Sequence, residues 1–187
     1  MSARSRRFQT ELFTLGLENG GLAELIAELS GEDIELVLDV RRWPARQWRR
    51  FAPSELEPML AAAEIYYVHR PELGPEPRHW LPGGDRWRLD SRRFRAELRR
   101  QDRWLGWAAG LGLRHRSCVI SQFAAPNDTD RRIVAEEIAT LAGLRVLRLR
   151  DRPPTRLDPT SPVPWNEPGG SASITHVDLA TTRVKRD

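Results

Sequence analysis

The sequence predicts an α/β domain, an open and mainly parallel sheet of about five strands with helices on both faces. Three observations predict it. Apolar runs of strand length alternate five times with stretches of helical periodicity between residues 11 and 149. One run, Ile34 to Val40, is almost continuously apolar, as a strand covered on both faces of a parallel sheet must be. The chain's 187 residues, 40% of them hydrophobic, suffice for a core of its own. The expected organisation is one domain over residues 1–150 and a tail over 151–187.

Residues 11–17, Glu-Leu-Phe-Thr-Leu-Gly-Leu, read as a short buried strand. Gly20 and Gly21 open a helix whose apolar face is Leu22, Leu25, Ile26 and Leu29, and Gly31 stops it. The second strand, Ile34 to Val40, ends in charge at Asp39 and Arg41. After a loop rich in Trp, Arg and Pro, Pro53-Ser54 begins a helix through Leu56, Met59, Leu60 and Ala63, and Ile65 to His69 is the third strand. Arg70 to Asp90 holds four prolines and three glycines and reads as an irregular loop. Ser91 is the expected N-cap of one long helix carrying Phe94, Leu98, Leu105 and Ala108 on a common face, closed by Gly110 to Gly112. Ser117 to Ser121, Thr129 to Ala142 and Leu144 to Leu149 complete the alternation as strand, helix and strand. Beyond Arg150, six of the next eighteen residues are proline, and Glu167 to Ser173 is rich in Gly and Ser, a composition with little apolar burial to offset ordering. A largely disordered tail is expected there, with Ile174 to Leu179 as a candidate added strand.

No apolar run approaches the roughly 18–20 residues of a membrane span, so no membrane partner is expected. Met1 to Phe8 is basic, but no secretory h-region follows it, and the single cysteine, Cys118, leaves no internal disulfide or multi-cysteine zinc site. The expected compartment is the cytoplasm. The net charge of +4 is unevenly placed: residues 41–103 hold 15 Arg against 9 Asp and Glu. Only one of the 30 basic residues is lysine, which fits planar phosphate recognition and equally fits a GC-rich genome.

In such a sheet, ligands bind beyond the carboxyl ends of the strands where strand order reverses, so those ends supply the candidates. After the first strand, Gly16 to Gly21 leads into a helix N-terminus and offers backbone N–H groups to an anion, or simply makes a tight turn. After the second, Asp39 is a candidate base or ligand-positioning group, and Arg41 and Arg42 are candidate phosphate or carboxylate forks; a structural Asp–Arg clamp is the competing reading. After the third, His69 and Glu72 put an imidazole and a carboxylate near the same rim, where Asp39 and Glu72 are the candidate acid–base pair. His79, His115 and His176 lack metal-ligand spacing and are expected in packing or on the surface. Six of the seven tryptophans, Trp43, Trp48, Trp80, Trp87, Trp104 and Trp107, lie in or beside the basic section. Trp104 and Trp107 are expected in the core, the other four in loops where they stack on bases or cover the sheet rim.

Taken in order, these residues resemble the domain of unknown function 488 family, a widespread bacterial and archaeal group with a Rossmann-like domain. The resemblance rests on Thr14, Gly16 and Asn19, on Leu38-Asp39-Val40-Arg41 with Pro44, on Phe51, on Ile65, Tyr67 and His69, and on Glu72-Leu73-Gly74, and spans residues 11–149. It departs in the fourth unit, where Cys-x-Glu and Cys-His-Arg patterns are replaced by Ser121, Phe123, Thr129, Asp130 and Arg131, with Pro126 and Arg131 alone agreeing. A histidine and a serine after the first glycine are likewise Leu17 and Glu18, so no cysteine-dependent chemistry is expected. The set that the resemblance brings to one rim is Asn19, Asp39, Arg41, Glu72 and Arg131. The leading expectation is a protein that binds or acts on a nucleotide, nucleic acid or other phosphate-bearing ligand, with Thr14, Gly16, Asn19, Arg41, Arg42, Trp43, His69, Ser121 and Arg131 as contacts and no particular cofactor or metal indicated. The alternatives are a non-catalytic module that binds a protein partner or a second copy, and an enzyme acting on a small anionic metabolite.

Overall fold

The computed structural model describes residues 9–17, 21–42, 51–83, 86–122 and 130–149, with only the backbone of Gly83, Arg86 and Trp87. The elements run β1 (Glu11–Gly16), α1 (Leu22–Gly31), β2 (Leu36–Asp39), α2 (Pro53–Ala62), β3 (Tyr66–His69), β4 (Trp80–Gly83), β5 (Arg86–Leu89), α3 (Ser91–Leu98), α4 (Asp102–Arg114), β6 (Ser117–Ser121), α5 (Asp130–Ala142) and β7 (Arg145–Arg148). Five strands form one wholly parallel sheet in the order β3-β2-β6-β1-β7.

The period of two along each strand divides the core. Leu12, Leu36, Leu38 and Val119 point to one face, where they meet Phe94 and Leu98 of α3, Leu105 and Ala108 of α4, and Ile133, Val134 and Ile138 of α5. Phe13, Leu15, Val37, Cys118 and Ile120 point to the other and meet Leu25 and Leu29 of α1 and Leu56 and Leu60 of α2. A fully buried leucine contributes about 1.5–3 kcal/mol, so each layer is held by its own apolar seam. This is the three-layer α/β architecture that the alternating runs predict. Among the described residues, no helix is long and apolar enough to cross a membrane.

The sequence reading needs correction between β3 and β6. The described residues between Arg70 and Asp90 are not an irregular loop: 3-10 turns at Pro71–Leu73 and Pro77–His79 precede an antiparallel ribbon in which Trp80 faces Leu89 and Leu81 faces Arg88. Trp80 packs against the α3–α5 side of the core instead of standing in a loop. The helix N-cap is Asp90, whose carboxylate accepts the Arg93 N–H at 3.0 Å, and not Ser91. The single long helix is two, α3 and α4, broken at Arg99 to Gln101, and α4 continues through Gly112 to Arg114. The break lets Arg95 and Arg99 reach Glu136 and Glu137 of α5 while Leu105 and Ala108 turn to the sheet. α1 ends at Gly31, as the sequence predicts, and Asp33 takes a left-handed φ of 51° in the turn that follows. Asn19, Trp43, Trp48, Phe123, Pro126, Thr129 and residues 151–187 lie outside the described residues, as does the Trp87 side chain.

Candidate functional site

β1 and β2 lead into α1 and α2 on one face, whereas β6, which lies between them, leads into α5 on the other. Helices therefore leave in opposite directions on either side of β6, which makes the crevice beyond its carboxyl end the ligand-binding position of this topology. The register defines that rim. Gly16 pairs with Ser121, Asp39 with Ile120, and Asp39 with His69, so four neighbouring strands end in one line.

Asp39 is fully buried and satisfied from within. Its Oδ1 accepts the Arg41 backbone N–H at 3.0 Å and Nε at 2.9 Å, and its Oδ2 accepts Arg41 Nη2 and the Tyr67 hydroxyl, both at 2.6 Å. Arg41 Nη2 also donates to the Phe51 carbonyl at 2.7 Å, tying the strand end to the start of α2. Burial opposes the Arg41 charge, but the Asp39 carboxylate more than offsets it and holds the guanidinium above its ordinary pKa. Burial and then the same carboxylate push the Tyr67 phenol far up, so Tyr67 remains a donor. Both Asp39 oxygens thus have two or more donors, an arrangement that fixes the loop after β2.

His69 sits beside this clamp. Its Nε2 donates to the Arg41 carbonyl at 2.7 Å, so that in the neutral ring Nδ1 is the acceptor. Glu72 stands on the 3-10 turn that follows, and its buried Oε2 has no hydrogen-bond partner among the described residues. Arg70 directs its guanidinium away, over the rings of Trp104 and Trp107 at 5.3 and 4.8 Å, which accounts for both tryptophans as packing residues. Arg42 Nε donates to the Gly74 carbonyl at 3.3 Å, and its side chain stays partly exposed. Gly74 is required by space, not by backbone angle. Its φ is an ordinary −88°, but a Cβ there would lie 2.1 Å from the Val40 carbonyl oxygen.

On the other side of Asp39, Ser121 Oγ accepts from Arg131 Nη1 at 3.5 Å and hydrogen-bonds to the Asp130 carboxylate. Burial raises the Asp130 pKa; Ser121 and Arg131 partly counter this, and the Asp39 charge adds slightly to it. Thr14 does not reach the rim: it lies within β1, where its hydroxyl donates to the Leu147 carbonyl at 3.4 Å. Burial pushes the Cys118 thiol up, so it is a neutral core residue and not a nucleophile. Among the described residues, no group of three or more His, Cys, Asp and Glu side chains forms a metal cage.

The structure therefore brings Gly16, Asp39, Arg41, Arg42, His69, Glu72, Ser121 and Arg131 to one end of the sheet. Sequence reasoning assigned no role to the Tyr67 hydroxyl or to Asp130. The available signal was period two, which puts Tyr67 on the same face as His69, but the pairing of β3 with β2 was needed to aim it at Asp39. A family model described as "Domain of unknown function DUF488" matches residues 21–138, from the start of α1 into α5. No curated protein and no solved structure matches the chain.

Proposed function

The chain belongs to the domain of unknown function DUF488 family, and for this member we propose that the rim binds a phosphate-bearing ligand, a nucleotide or nucleic acid. The observation that supports it is the line of strand ends at the crevice beyond β6, flanked by Arg42 on one side and Arg131 on the other. In this reading Arg42 and Arg131 take phosphate oxygens. His69 Nδ1 and Glu72 Oε2 accept hydrogen bonds from ligand hydroxyl or amine groups. The Asp39–Arg41–Tyr67 clamp holds the rim in shape.

One observation favours recognition without chemistry at Asp39: both of its oxygens are already filled, so it has no position left for water or a substrate proton. If a reaction is also catalysed, His69 is the acceptor placed to take the proton.

A thermal-shift screen of the full chain against nucleotides and short oligonucleotides at two salt concentrations tests the reading. A ligand at about 100 times its Kd adds roughly 2.7 kcal/mol, and phosphate binding weakens as salt rises. A salt-sensitive shift that is lost in Arg42→Gln is expected. No shift with any phosphate-bearing ligand, or one indifferent to salt, refutes it.

A further inference from the structure

On the α3 side of the rim, an open cleft of about 410 Å³ lies between α3, the turn at its C-terminus and the two 3-10 turns after β3. Arg42 and Gly74 belong to both, so cleft and rim are continuous. The charged lining is Arg42, Arg78, Arg93 and Arg100 against Glu76 and Glu97. Both carboxylates are engaged. Glu97 accepts from Arg78 at 2.7 Å, from Arg93 at 3.2 Å and from His79 Nε2 at 2.9 Å, and Glu76 pairs with Arg78 at 3.1 Å and more loosely with Arg42 at 3.7 Å. His79 Nδ1 accepts the Glu76 backbone N–H at 2.8 Å, so its proton is on Nε2 and both ring nitrogens are used; this His–Glu pair is a strut, not an acid–base dyad. The exposed Arg100 side chain has no ion-pair partner among the described residues.

We propose that this cleft is a second phosphate station and that the ligand spanning it and the rim is a single nucleic-acid strand, not a mononucleotide. The inference rests on the phosphate reading of the rim and specifies its ligand. A lone phosphate would be met by the rim arginines alone. Three further facts argue for a strand: the cleft continues the rim, its arginines outnumber its carboxylates, and one of them has no ion-pair partner among the described residues. Glu97 consumes one or two of the five N–H donors of Arg78 and Arg93 and so holds their forks in place without exhausting them. Gln101, also in the lining, has an amide that both donates and accepts, as a base edge requires.

Fluorescence anisotropy with the full chain tests this, using a labelled single-stranded oligonucleotide of about 12 nucleotides, with adenosine monophosphate and polyglutamate as unlabelled competitors. Arg100→Gln removes an exposed side chain with no ion-pair partner among the described residues, so the variant is expected to fold. The expected result is oligonucleotide affinity about tenfold weaker in the variant, with a salt slope smaller by about 1 and the monophosphate's affinity unchanged. An unchanged oligonucleotide affinity, an equal loss for the monophosphate, or equal displacement by polyglutamate overturns the proposal. Binding of the monophosphate without the oligonucleotide sinks this inference and leaves the rim reading standing; binding of neither sinks both.

Discussion

Two side chains bear most of the geometry of the rim. Asp39 is buried with a guanidinium, a phenol and a backbone N–H around it, so Asp39→Ala leaves Arg41 charged and uncompensated. Urea denaturation is expected to show a loss of about 3–5 kcal/mol, against about 1 kcal/mol for Tyr67→Phe, which removes one hydrogen bond. A loss below about 1 kcal/mol in Asp39→Ala would mean that the clamp does not hold the loop. Gly74→Ala drives a methyl group into the Val40 carbonyl, and neither backbone can yield cheaply. The expected cost is about 3 kcal/mol, the upper end for overpacking, accompanied by weaker ligand binding because Arg42 rests on the Gly74 carbonyl. At this scale the sequence was informative about which residues matter and silent about how. An Asp at the end of an apolar run announces a need for a partner, and Arg41 two residues on is a natural one. Which atoms meet, and that Tyr67 joins them, depends on strand pairing that no local pattern encodes.

The strands and helices of the two α/β layers were legible because burial on both faces and one-sided helices leave distinct periods in the sequence. The region between β3 and β6 was not, for physical reasons. Pro82 and Gly83 suggest a loop, yet the ribbon they belong to pairs only with itself among the described residues and tolerates proline as an edge strand does. The break between α3 and α4 has no proline or glycine to mark it, since Arg99, Arg100 and Gln101 are good helix formers overridden by the pull of Glu136 and Glu137 on α5. Helix endings show the same override. Asp33 and Glu64 both take left-handed backbone angles, at φ 51° and 59°. Glutamate is the poorer fit, so Glu64→Gly is expected to stabilise the protein by about 0.5–1 kcal/mol, read as a higher Tm. A lower Tm would show that the Glu64 side chain contributes more than its backbone strain costs.

Across the molecule, carboxylates held by arginine set the response to acid. Hydrogen bonds from Arg78, with His79 and Arg93 adding to them, lower Glu97 from its ordinary 4.5 to about 2, and Glu136 and Glu137 are lowered by Arg95, Arg132 and Arg99 despite burial that opposes the shift. A carboxylate lowered by folding contributes stability that is present above its unfolded value and lost as pH falls through the folded one. Stability is therefore expected to decline from pH 4.5 toward 2, with Asp130, whose pKa is raised, contributing with the opposite sign. Glu97→Gln should flatten that decline when unfolding is followed against pH; an unaltered profile would show that the arginine cluster adds nothing to folding. Glu97 with Arg78, His79 and Arg93 also walls the cleft that continues the rim, which links this acid response to the ligand proposed for the cleft. The most direct measurement of where that ligand binds is a backbone amide NMR titration of the full chain with a nucleotide. Shifts concentrated at Gly16 and Leu17, Asp39 to Arg42, His69 to Gly74, and Ser121 with Asp130 and Arg131 are the predicted result. Shifts confined to the opposite end of the sheet, around His115 to Ser117, or none at millimolar nucleotide, would contradict it.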